Sequence, residues 1–195
     1  MSSSTSSVIG AGERGTPTYD RGTIALHWLT AGLVLVLWLI GTFLEDLLPK
    51  GALRSGIWSA HFDLGFVLTA LIVALPVWRH TGGRQLPVDD PGPLHVLAKA
   101  THAALYVLLF VIAGLGIANA LVRGVTLVGP LALPAVGDPE WRRPLTHWHG
   151  LAANILMALA LFHAAAALVH HYLWHDGILR RILPGRGAPL PRDRR

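Results

Sequence analysis

The sequence predicts an all-α integral membrane protein folded as a four-helix bundle, and three observations predict it. Of the 195 residues, 52% are hydrophobic and only 14% are charged, with a mean hydropathy of +0.49, whereas an average soluble domain carries about 25% charged residues. Four runs contain no Asp, Glu, Lys or Arg: residues 22–44, 64–78, 100–122 and 144–175. Two segments between them, RHTGGRQLPVDDPGP (79–93) and PLALPAVGDPEWRRP (130–144), are rich in Pro and Gly and connect helices without adding domains.

The first twenty residues, MSSSTSSVIGAGERGTPTYD, are polar and lack the apolar stretch of a signal peptide, so residues 1–20 are expected to be a disordered cytoplasmic tail and the first helix an uncleaved anchor. That helix is predicted over 23–44. The second run falls short of the roughly 20 apolar residues a crossing needs, but IWSAHF (57–62) extends it to interfacial depth, giving 57–78. The third and fourth runs predict helices over 95–122 and 146–174. Together they make one domain over 21–184, followed by a basic, Pro-rich tail over 185–195.

Four crossings leave both termini on one side, and basic residues choose that side. The two tails and the loop between the second and third helices hold Arg14, Arg21, Arg79, Arg84, Lys99, Arg180, Arg181, Arg186, Arg192, Arg194 and Arg195. The opposite loops hold only Lys50, Arg54, Arg123, Arg142 and Arg143. Cytoplasmic termini follow. This bias accounts for much of the net charge of +5, and with no basic helix or aromatic-basic platform in view, no nucleic-acid partner is expected. The tryptophans at 28, 38, 58, 78, 141, 148 and 174 lie mostly near helix ends, as an interfacial aromatic belt requires.

There is no cysteine, which excludes disulfides, thiolate metal sites, iron–sulfur clusters and covalent C-x-x-C-H haem attachment. Histidine is abundant instead. HWHGLAANILMALALFHAAAALVHH (147–171) holds five histidines and no charged residue, although an ionisable group within lipid is costly and usually faces a cavity, a partner or a cofactor. With about 100° and 1.5 Å per helical residue, His149 and His163 are about 21 Å apart in depth but only about 40° apart in azimuth. They look inward at two levels. His61, at the outer end of the second helix, matches the depth of His149, and His27, at the inner start of the first, matches His163. Two imidazoles make a poor zinc site, which wants four ligands. A haem supplies its own equatorial nitrogens and needs only two axial ones, so the pairs lead to two haems stacked across the bilayer. Gly32, Gly65, Gly114, Gly116 and Gly150 could make room for a flat macrocycle, though glycine is common in membrane helices. Any single histidine could equally hydrogen-bond a neighbouring helix or line a proton path. His80, His147 and His175 fit interfacial snorkelling, and His95 and His102 remain open between propionate contacts, quinone contacts and packing.

The segments IALHWL (24–29), SAHFDLGF (59–66), THAALYVLLF (101–110), HWHGLAANI (147–155) and LFHAAAALVHHYLWHDGILRRILP (161–184) resemble the prokaryotic cytochrome b561 family over about Arg21 to Pro184. The resemblance implies a four-helix, di-haem cytochrome of the bacterial inner membrane that exchanges electrons with ubiquinone. It implies two haem b, one on His27 and His163 and the other on His61 and His149. An electron donor at the periplasmic face, superoxide in some members, would be oxidised and the ubiquinone pool reduced, making the protein a superoxide:ubiquinone oxidoreductase-like enzyme or an electron-carrier cytochrome. For a small anionic donor, Arg54, Arg142 and Arg143, with Lys50 and Arg123, could steer it to the haem edge; they could equally only solvate the loops. His102, His170 and His171 are the quinone candidates, with Arg84 or Lys99 nearby. The alternative reading is a membrane-anchor subunit passing electrons from a dehydrogenase or hydrogenase to quinone. A third, a haem-free transporter using histidine relays, is disfavoured because only Asp63 approaches a span.

Overall fold

The structure, a computed structural model, describes residues 18–86, 92–127 and 131–184. The N-terminal tail through residue 17, with Arg14, and the C-terminal tail from residue 185 lie outside the described residues. Four long helices carry the fold: α1 (Arg21–Leu47), α2 (Ala52–Thr81), α3 (Pro93–Arg123) and α4 (Arg142–Tyr172). At 27 to 31 residues and about 1.5 Å of rise per residue, each exceeds the roughly 30 Å hydrocarbon core with length to spare for the interfaces. All four are long and apolar enough to cross a membrane.

Every helix begins earlier than the sequence predicts, and in α1, α3 and α4 polar or proline residues near the ends serve as starts. Asp20 caps α1 by accepting from the Thr23 amide, Pro93 sits in the first turn of α3, where its missing N–H costs nothing, and α4 starts at Arg142 from a 3-10 turn over Pro139–Trp141. The first three helices also end later. α4 ends slightly early, at Tyr172, since the chain turns through His175 at φ 52°.

Sequential helices pack side by side and α1 closes the ring against α4, so α2 and α4 occupy opposite corners, as do α1 and α3. The tightest core joins Leu37 of α1 to Leu68 and Ile72 of α2, with Leu109 and Ala113 of α3 against them. Outside this thin core the helices present Leu35, Leu39, Phe110, Leu161 and Phe162 outward. A soluble protein rarely exposes so much contiguous apolar surface. Lipid is the solvent that suits it.

One end of the bundle is tied by a polar clasp. The Asp20 carboxylate accepts from the Thr23 amide at 2.9 Å and hydroxyl at 2.7 Å, from the Trp78 indole at 2.9 Å and from the Arg84 amide at 2.9 Å. Burial pushes this carboxyl up, but the bonds from Thr23, Arg84 and Trp78 outweigh it and hold it well below the usual carboxylate range. The segment after α4 joins in, its Arg181 carbonyl accepting from the Tyr19 amide at 3.0 Å and its Ile182 carbonyl from the Trp28 indole at 2.8 Å. Gly22 is required beneath Trp78, where a Cβ would lie 2.7 Å from the indole. At the other end the α3–α4 connection folds back on itself, Leu127 donating to Leu131 and Leu133 to Val125, both at 2.9 Å. Gly124, at φ 63°, starts it with Ala135 close above.

Candidate cofactor site

His61 on α2 and His149 on α4 reach across the bundle diagonal until their ring centroids are 6.4 Å apart, with the planes at 73°. Two imidazoles bound to one metal from opposite sides, each nitrogen about 2.0 Å from it, have centroids about 6 Å apart. The spacing fits. His149 Nδ1 lies 3.1 Å from the Ile112 carbonyl of α3; a donor hydrogen bond there fixes the tautomer and leaves Nε2 as the free ligand, the arrangement usual behind metal-bound histidines. Among the described residues the buried Nδ1 of His61 has no hydrogen-bond partner, and Trp58 and Phe62 stand edge-on around that ring at 5.4 and 6.0 Å.

The other two helices contribute glycines at the same level. A Cβ on Gly116 of α3 would sit 3.2 Å from His149 Cε1, and one on Gly41 of α1 would sit 3.6 Å from His61 Cε1. Gly116 therefore lets the imidazole press directly on the α3 backbone. At Gly65, one turn from His61, and at Gly150, next in sequence to His149, a Cβ would meet nothing within 4 Å among the described residues.

A second histidine group lies toward the clasped end. His102 of α3 packs on His163 of α4 with centroids 5.2 Å apart, and His27 of α1 is within electrostatic range of both. The ring contact is thus between His102 and His163, where the depth reasoning pairs His163 with His27. Among the described residues no group of three or more His, Asp or Glu side chains could hold a bare metal ion. A cofactor with its own equatorial nitrogens suits this donor set better than zinc does.

The remaining candidates separate. His170 pairs through Nδ1 with the Asp176 carboxylate, and His171 stands edge-on to Tyr172 at 4.8 Å. Arg84 is engaged with Asp20 and with the Thr18 carbonyl at 3.2 Å, and Arg54 pairs with Glu45 at 2.7 Å. Arg142 donates to the Val122 carbonyl at 3.3 Å, while Arg143 is exposed. Sequence reasoning passed over Gly41, Ile112 and Asp176, and counted Arg79 only as a topology charge; the structure sets Arg79 over the Tyr19 ring at 5.8 Å and within electrostatic range of His102. Only Asp176, six residues from His170, had a local signal.

With this geometry in place, comparison with known proteins is decisive. The family model of prokaryotic cytochrome b561 matches residues 18–185. The chain belongs to the prokaryotic cytochrome b561 family. It is 31% identical over 175 residues to a cytochrome b562 of Cereibacter sphaeroides, covering 87% of this chain and 98% of the relative. It is 28% identical over 170 residues to a Yersinia pestis protein named as a probable superoxide oxidase, covering 85% and 96%. Cytochrome b561 homolog 2 of Escherichia coli is 28% identical over 173 residues, covering 85% and 90%. As a cytochrome b561 the protein is a multi-pass membrane electron-transfer cytochrome, and the family implies haem b.

Proposed function

We propose that the chain holds two haem b groups, one between His61 and His149 and the other between His27 and His163, and carries electrons from a donor at the outer face to ubiquinone at the inner face of the bacterial inner membrane, both termini being cytoplasmic. The observation that carries this reading is the 6.4 Å approach of His61 and His149 from opposite corners of the bundle. Packing alone would hardly draw two polar rings together across an apolar diagonal, since each costs free energy in lipid unless it is satisfied. When bound, haem b supplies a one-electron iron couple whose potential responds to ligands, burial and neighbouring charge.

The residues of the chain do the rest. The Ile112 carbonyl orients His149, Gly116 seats it, and Trp58 and Phe62 shield His61. Superoxide is the candidate donor, supported by the name of the Yersinia pestis relative. Outer-face cations suit a small anion. Arg123 is anchored by hydrogen bonds: it donates to Asn119 at 3.0 Å and to Thr146 at 2.8 Å, residues one turn beyond Gly116 and His149. Arg142 and Arg143 flank it at the start of α4, whereas the ion pair to Glu45 blunts the charge of Arg54. His102, His170 and His171 are the quinone candidates at the inner face.

The test is haem quantitation with a reduced-minus-oxidised spectrum on the purified protein, followed by turnover with superoxide and a soluble ubiquinone. Two b-type haems per chain and turnover without a partner are expected. One haem per chain would sink the two-level arrangement, and two haems without turnover would leave the anchor-subunit reading in its place.

A further inference from the structure

Between α3 and α4 lies an open groove of about 330 Å³. Its walls are Leu108, Val111 and Leu115 of α3 and Trp148, Leu151 and Ile155 of α4, so the Trp148 indole N–H is the one polar group among these side chains. The helices run antiparallel. Leu115 and Trp148 therefore mark one end and Leu108 and Ile155 the other, which makes the groove about 10 Å long. It starts near the end of the bundle opposite the clasp and runs toward the middle of the bilayer. Val111, Trp148, Leu151 and Ile155 are all exposed, and the groove opens sideways onto the lipid.

Beyond the groove the same seam turns polar in steps. First come Asn119 and Thr146, joined at 3.2 Å. Then, about 9 Å past Trp148, Arg142 reaches from α4 to α3, its Nε donating to the Val122 carbonyl at 3.3 Å. That bond lays the guanidinium across the seam and leaves its two terminal nitrogens, a fork suited to the oxygens of a phosphate. Arg143 stands next to it in the chain, exposed. Among the described residues neither arginine forms an ion pair with a carboxylate. Apolar groove, hydrogen-bonding ledge and cation follow one another over about 20 Å, half the thickness of a bilayer with its headgroups. Acyl chain, ester and phosphate follow one another in that order in a phospholipid.

We propose that the α3–α4 seam binds one anionic phospholipid of the phosphatidylglycerol type, with an acyl chain in the groove and the phosphate on Arg142. It depends on neither the cofactor nor the orientation in the membrane. A second copy of the chain suits the seam less well, because a two-fold contact would bring the same cations face to face. A zwitterionic lipid would set its own ammonium among them. The bound lipid spans α3 and α4 where the Ile112 carbonyl and Gly116 of one helix meet His149 of the other, so its binding free energy also holds that contact closed. With Arg142 on the phosphate, the pull on an anionic donor falls to Arg123.

Native mass spectrometry of the delipidated holoprotein, titrated with dioleoyl phosphatidylglycerol or dioleoyl phosphatidylcholine, tests the site. One phosphatidylglycerol per chain is expected to bind about tenfold more tightly than phosphatidylcholine, the lower end of what a hydrogen bond to a charged group contributes. Arg142→Gln should abolish that preference by weakening phosphatidylglycerol about tenfold, whereas Arg54→Gln, which removes a cation elsewhere at the same end, should bind like the wild type. Leu151→Trp fills the groove and should weaken the lipid as well. Leu161→Trp, on an exposed face outside the groove, should not. Glycerol 3-phosphate carries the phosphate without the chains and should fail to compete. If Leu151→Trp does not assemble, the two lipids and the arginine variants decide. Equal affinity for the two lipids, wild-type affinity in Arg142→Gln or in an assembled Leu151→Trp, displacement by glycerol 3-phosphate, or a chain that dimerises and takes up no lipid each overturns the proposal.

Discussion

At the outer level two imidazoles from opposite corners of the bundle face each other at 6.4 Å, each with a glycine behind it and one tied to a backbone carbonyl. At the inner level His102 and His163, from α3 and α4, are in ring contact at 5.2 Å, and His27 of α1 lies within electrostatic range of them. The outer site is therefore pre-organised by backbone, which is rigid and cannot reorient when a cofactor enters. The inner site is made of side chains against side chains and offers one imidazole beyond the proposed pair. Under the proposed function, order at the first level and surplus at the second would divide the work: fixed ligation at the first, and ligation combined with quinone chemistry at the second.

The largest effect should come from removing a proposed outer ligand. His149→Ala is expected to halve the haem content, measured as pyridine haemochrome per chain, and to leave the inner spectrum intact, because the inner level draws nothing from Ile112 or Gly116. His163→Ala should give the mirror result. If either variant loses both haems, the two levels do not form independently.

Next in size, the surplus imidazole separates ligands from neighbours. His27→Phe is expected to lose the inner haem, while His102→Phe retains it with an altered quinone-reduction rate. The reverse outcome would make α3, and not α1, the source of the second inner ligand.

A smaller effect is expected from the backing glycines. Gly116→Leu pushes a branched side chain to where a Cβ alone already lies 3.2 Å from His149, so partial loss of the outer haem should follow. Gly114→Leu, two residues away and with nothing within 4 Å of its added Cβ, should retain full occupancy. Equal haem content in the two variants would show that backbone contact does not seat His149.

The smallest effect lies outside both levels, at the clasp. Asp20→Ala removes the α1 cap and should cost about 1 kcal/mol, read from thermal unfolding in detergent at neutral pH. Because the folded-state pKa of Asp20 is depressed, its contribution is complete above the unfolded value of about 3.9 and is lost as pH falls through the lower folded one. The gap between variant and wild type should therefore close in acid. A gap independent of pH would mean that the hydrogen bonds act without the charge.

Much of this was legible before any coordinates. The four uncharged runs located four helices, and the spacing of His149 and His163 placed them on one face at two depths. The ends were missed because Asp20, Pro93 and Pro144 read as loop residues, whereas a capping carboxylate and a first-turn proline both begin helices. His102 stayed ambiguous because azimuth on α3 says nothing about the rotation of that helix against α4. Gly41 and Ile112 were invisible for a related reason: a glycine or a carbonyl acts here only through what another helix presses on it. Asp176 was within reach, six residues from His170, but only a left-handed His175 turns its carboxylate back.

Composition and periodicity alone determined that the chain crosses a membrane four times, lacks thiol chemistry and lifts imidazole to two heights in lipid, because helical rise and the cost of burying polar groups act along a single strand of sequence. The tertiary structure alone decided which rings meet across the bundle, that a third histidine joins the inner group, and which glycines and carbonyls hold the outer one. Those depend on how each helix is rotated against its neighbours, and that rotation is set by side chains far apart in the chain.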